Sequence, residues 1–156
     1  MVRYAKGTTV GVDRSKQEIE RILIRYGADS FAYGWEQDRA MIQFQSHGKV
    51  VRMRLDLPGK AEFELTPTEM RRLDEAATRA WEQGVKERWR SLAMVIKSKL
   101  ESVAIGIVTF EEEFLAHLCL PDGKPFGEWA LPQIDEVYRT GEPPPMLPML
   151  GEGESG

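Results

Sequence analysis

Five basic residues are spaced so that chemistry could follow from the spacing alone: Arg72, Arg79, Lys86, Arg90 and Lys97. On an α-helix advancing 100° per residue they fall within about 20° of one line, and at 1.5 Å per residue that line is about 39 Å long. A row of cations of this kind can follow a phosphate backbone, gaining affinity by displacing the counterions condensed on it. Glu75 and Glu82 border the row and weaken its field. Arg52 and Arg54 stand two apart in a segment that reads as a strand, so they share a face and extend the candidate surface. These seven residues are the nucleic-acid-binding candidates.

Other chemistry is thinly supplied. The chain has two histidines. His117 follows Glu113 by four residues, so both could face one ion on a helix, with Cys119 nearby as a third ligand. A surface Glu–His pair and a small buried cysteine are the simpler reading of the same residues. Glu111, Glu112 and Glu113 are consecutive and point to different sides of a helix, whose first turn favours negative charge in any case. There is no Gly-x-Ser-x-Gly, no glycine loop to cradle phosphate and no Cys-x-x-Cys. The sequence therefore assigns no catalytic residue, no metal ligand and no cofactor. A metal-dependent nuclease built from scattered carboxylates stays open as an alternative, since such a site needs no contiguous motif.

The elements that must position these groups are legible in part. Ile19, Ile22, Leu23 and Tyr26 recur at helical spacing and predict an amphipathic helix over 14–26, ended by Gly27. A short strand is expected over 7–12. Three strands follow at about 30–36, 39–45 and 49–56. Two-residue turns at Gln37-Asp38 and His47-Gly48 put Phe31, Tyr33, Trp35, Ala40, Ile42, Phe44, Val51, Met53 and Leu55 on one face. That face should form a core with the helix, which places the three aromatic rings of the first strand inside and argues against a base-stacking role for them. The other face, carrying Arg39, Arg52 and Arg54, should be polar. Thr66-Pro67-Thr68-Glu69 has the residues of a capping box with proline at N1, predicting a long helix over about 67–103. Its buried side is read as Met70, Leu73, Ala77, Trp81, Val85, Leu92, Ile96 and Val103, roughly opposite the basic row. Gly84 marks a close contact or a bend. Thr109-Phe110-Glu111-Glu112 is a second capping box, and Pro132 should open a last helix that Gly141 stops.

The 156 residues carry a net charge of −4, unevenly placed. Residues 1–99 sum to +5 and residues 100–156 to −9. This asymmetry suggests a polyanion-facing part and an acidic part that repels nonspecific contacts or docks elsewhere. With 42% hydrophobic and 29% charged residues, the composition excludes a wholly disordered or fibrous chain. No apolar run is long enough to span a bilayer. The single cysteine excludes an internal disulfide, and Met1 to Lys6 lack the apolar stretch of a signal peptide, so a cytoplasmic location is expected.

The segments Arg14 to Trp35, Trp89 to Glu101 and Thr109 to Gly123 resemble small proteins of phages, prophages and other mobile elements that have no assigned activity. The likeness covers about residues 3–140. It implies a setting of DNA replication, recombination or counter-defence, and it carries over no functional residue. The helix–three-strand–helix order also looks like a double-stranded-RNA-binding domain, but the long helix begins with Thr66-Pro67-Thr68-Glu69 where that module has a basic cluster.

The expected fold is α+β: a three- to four-stranded antiparallel sheet with a helix on one face, one long helix and a short-helical C-terminal part. Residues 1–141 are read as one domain and 142–156 as a Pro/Gly-rich acidic tail, with Met146, Leu147, Met149 and Leu150 as apolar anchors for docking or for covering the domain itself. The expected function is that of a non-enzymatic accessory in nucleic-acid transactions. An anti-defence or regulatory protein that binds a host protein or a small nucleotide is the alternative. The candidate partners are DNA or RNA, a host or phage protein, and a second copy of the chain, with no membrane among them.

Overall fold

Two tight hairpins align three strands in the register that side-chain alternation demands. β1 (Ser30–Glu36) pairs antiparallel with β2 (Arg39–Ser46), and β2 with β3 (Lys49–Asp56), giving the sheet order β1-β2-β3. Phe31 stands opposite Phe44, Tyr33 opposite Ile42 and Trp35 opposite Ala40; Ile42 in turn faces Met53, and Phe44 faces Val51. The second turn needs two left-handed residues, supplied by His47 (φ 52°) and Gly48 (φ 72°). The computed structural model describes residues 6–36 and 38–143, and of residues 6–11 the backbone alone. Gln37 and the apolar positions of the proposed docking tail lie outside the described residues.

Among the described residues four α-helices accompany the sheet: α1 (Lys6–Arg25), α2 (Asp74–Ala104), α3 (Phe110–Phe114) and α4 (Phe126–Thr140). The fold is α+β. Val12, Ser15, Ile19, Ile22 and Leu23 form the buried side of α1, and Val85, Trp89, Leu92, Ala93, Ile96 and Leu100 that of α2. Both sides join the inward face of the sheet in one cluster with Ala40, Ile42, Phe44, Val51 and Met53. Lys16 reaches Trp89, and Tyr26, ten residues on, lies beside Glu101, so the two helices run side by side in the same direction. Phe110 and Phe114 close the core, Phe114 meeting Phe44 edge-on at 5.6 Å. Leu118 bridges Val51, the Cys119 N–H donates to the Val50 carbonyl, and the chain thereby crosses the outer edge of β3. No helix of the described residues is long and apolar enough to cross a membrane.

Several boundaries differ from those read in the sequence. Residues 7–12 are helix, not strand: Val12 lies seven residues before Ile19 and continues the buried stripe of α1. The long helix starts at Asp74, not near 67. Thr66-Pro67-Thr68-Glu69 instead makes a turn, in which the Thr66 hydroxyl accepts from the Met70 N–H at 3.0 Å and Glu69 takes φ 63°. Proline at the second position of a turn is as well suited as at the start of a helix, so the same residues fit both. Pro132 sits inside α4, which begins six residues earlier. Tyr33 and Trp35 lie on the expected face but are 49% and 55% exposed, because β1 is an edge strand and the helices cover β2 and β3 more fully.

Other local signals match. Thr109 caps α3 with Glu112 returning the bond, and Gly141 at φ 72° stops α4. Gly84 is a close contact: a Cβ there would lie 2.6 Å from the Phe63 ring. Gly127 is tighter in consequence, since its Cβ would meet the backbone oxygen of Ala116 at 2.9 Å. Gly127→Ala should therefore lift the start of α4 from residues 115–117 and cost about 1–3 kcal/mol, the usual range for overpacking. Denaturant unfolding checks the loss, and the emission of Trp129, whose ring lies 5.6 Å from Phe126 in the same helix, checks its location.

Candidate nucleic-acid interface

The row on α2 is shorter than the sequence suggests and differently placed. Arg79, Lys86, Arg90 and Lys97 lie on one helical line, spanning about 27 Å at 1.5 Å per residue. Arg79, Arg90 and Lys97 are exposed and Lys86 is half-buried. None of the four has an ion-pair or hydrogen-bond partner among the described residues. The buried side of α2 is centred about 90° from the row rather than opposite it. That helix packs against both the sheet and α1, which broadens its covered arc until the row borders the seam. Glu82, half-buried, lies between the row and that covered side.

The three remaining candidate arginines are committed to the protein itself. Arg72 precedes α2, and its guanidinium donates to the carbonyls of Phe63 at 3.0 Å and Leu65 at 3.1 Å, holding the 64–72 turn. Arg52 donates twice to Gln43 Oε1, at 3.1 and 2.9 Å, and once to the Gly123 carbonyl at 2.7 Å. Arg54 pairs with Glu128 at 2.6 Å. The C-terminal segment thus folds round β3 onto the polar face of the sheet, and the two strand arginines fasten it there. They do not join the row on α2.

The acidic and metal-ligand candidates are also occupied. Glu111 pairs with Lys49 at 2.8 Å, Glu112 returns the cap to Thr109, and Glu113 pairs with Lys99 at 2.9 Å. Lys49 holds the Glu111 carboxyl below the usual carboxylate range. No group of three or more metal-ligating side chains gathers among the described residues.

Composition and spacing gave no weight to a different cluster. The Lys16 ammonium sits 4.0 Å from the centre of the Tyr33 ring and 5.1 Å from that of Trp89. Burial between these rings lowers its pKa below the ordinary lysine value, with Asp13 opposing the shift. The available signal was an aromatic pair, Tyr33 and Trp35, on a strand that the hairpin order already placed at the edge of the sheet.

His117 supplies a pH dependence. Burial, and next the Lys99 charge, push its pKa below the ordinary imidazole value. A histidine depressed in the folded state binds its proton more readily when unfolded, so stability is full at neutral pH. It declines as pH falls through the ordinary imidazole range towards the lower folded-state value. His117→Gln should flatten that part of the profile, measured as unfolding free energy between neutral and mildly acidic pH. No family model, curated protein or solved structure matches the chain.

Proposed function

We propose that the protein is a non-enzymatic accessory in nucleic-acid transactions that grips a phosphate backbone through Arg79, Lys86, Arg90 and Lys97. The observation that carries this reading is the line of four cations along α2, none of them paired among the described residues. Five other basic side chains are drawn into the fold: Lys49, Arg54 and Lys99 pair with glutamates of the acidic C-terminal third, and Arg52 and Arg72 with carbonyls. Exposed arginines such as Arg14, Arg21, Arg25, Arg71 and Arg88 also carry available charge, but among the described residues only the row sets four cations on one helical line. A rigid helix holds the groups at fixed spacing, which reduces the ordering cost of gripping an extended polyanion. The setting we infer, on the resemblance alone, is a phage or other mobile element.

Affinity for labelled DNA and RNA, single- and double-stranded, should be measured over a salt series. Four phosphate contacts give a slope of log K against log salt of about −3.6 on duplex DNA and about −2.8 on a single strand. Replacing both Lys86 and Arg90 by glutamate should weaken binding at least about tenfold and make the slope shallower by about two. Binding that ignores salt, or that survives the double charge reversal unchanged, would overturn the proposal.

A further inference from the structure

A cavity of about 140 Å³ opens where α1, α2 and the edge strand β1 meet, lined by Val12, Asp13, Lys16, Tyr33, Trp35 and Trp89. Its volume is close to that of an engineered cavity of about 150 Å³ that accepts benzene, so it has room for a single ring. Its chemistry is mixed. Lys16 brings a cation already seated against two aromatic rings, and Asp13 brings a carboxylate. Trp89 is 2% exposed and forms part of the cavity wall. Tyr33, half-exposed, offers an aromatic surface.

A free phosphate suits this cavity poorly, because one lysine faces one aspartate. A nucleobase suits it well: a flat ring whose edge carries both an acceptor, for Lys16, and a donor, for Asp13. The position is also telling. Lys86, Trp89 and Arg90 belong to one turn of α2, so the cavity wall and the middle of the cation row are one helical turn apart. Bound backbone and displaced base then fall within one nucleotide's reach, the arrangement of stacking platform beside cationic track that single-strand binders use.

We infer that this cavity receives one unstacked base of a single-stranded nucleic acid whose phosphates run along the row. The inference deepens the phosphate-row reading by naming an unpaired strand as the ligand, and rests on that reading for the backbone contacts only.

The test compares a short oligothymidylate with a duplex of equal length, reading affinity and tryptophan emission, and adds mononucleotide titrations that report on the cavity without the row. The single strand should bind more tightly and quench emission, and the duplex should not quench. Tyr33→Ala and Lys16→Met should each cost the single strand about fivefold to a hundredfold, the range of one stacked base, while leaving duplex affinity and its salt slope in place. Tyr33→Leu keeps the side-chain bulk and replaces Tyr33→Ala if thermal unfolding shows that variant to be misfolded. Equal affinity for both strands, or a single-strand preference untouched by these variants, overturns the cavity proposal and leaves the row standing. Mononucleotide binding that Tyr33→Leu abolishes, with oligonucleotide affinity indifferent to charge reversal at Lys86 and Arg90, keeps the cavity and removes the row.

Discussion

Ile42, Phe44 and Val51 are sealed from water on the inward face of a sheet only three strands wide. A sheet that small cannot hide such a face by itself, so α1 and α2 must lie across it, and burying that area is the main favourable term in folding. The consequence for α2 is geometric. It shields the strands below and leans on α1 beside it, so a broad arc of its circumference is given to apolar contact. Lys86, half-buried, stands at that limit. The placing of the cation row is thus a by-product of how the core is closed.

The charge split between the two parts of the chain resolves into internal contacts as well as an outward field. The acidic third meets the basic part through Lys49–Glu111, Lys99–Glu113 and Arg54–Glu128. Exposed ion pairs contribute little to stability. These pairs join segments far apart in sequence, so their effect is to orient the C-terminal segment as it rounds β3. The Lys99–Glu113 pair is the most shielded of them, with side-chain exposures of 25% and 20%. The acidic segment thereby takes Lys49, Arg54 and Lys99 out of the cationic surface that the sequence suggested.

Local rules read the chain well wherever the deciding partners were neighbours in sequence. The hairpin registers, the Thr109 cap and the glycine stops at Gly27 and Gly141 all followed from residues a few positions apart. Thr66-Pro67-Thr68-Glu69 misled because helix start and tight turn ask for the same residue types, and the choice fell to Arg72, which ties the turn to the carbonyls of Phe63 and Leu65. Residues 7–12 misled because β-branched residues suggested a strand, while they continue the helix whose described buried side begins at Val12 and packs against α2. For Tyr33 and Trp35 alternation supplied the direction of the side chains and not their depth.

By itself, then, the sequence determined the sheet's register, the α+β class and the angular line of Arg79, Lys86, Arg90 and Lys97, since each depends only on backbone periodicity. Tertiary structure alone decided which cations stay available and where a cavity opens. Arg52, Arg54 and Arg72 were withdrawn by Gly123, Glu128 and the 63–65 carbonyls, and Lys16 was brought between Tyr33 and Trp89. The physical reason is that the free charge of a side chain and the depth of a ring are set by partners distant along the chain. No repeat in the sequence encodes which of those partners will arrive.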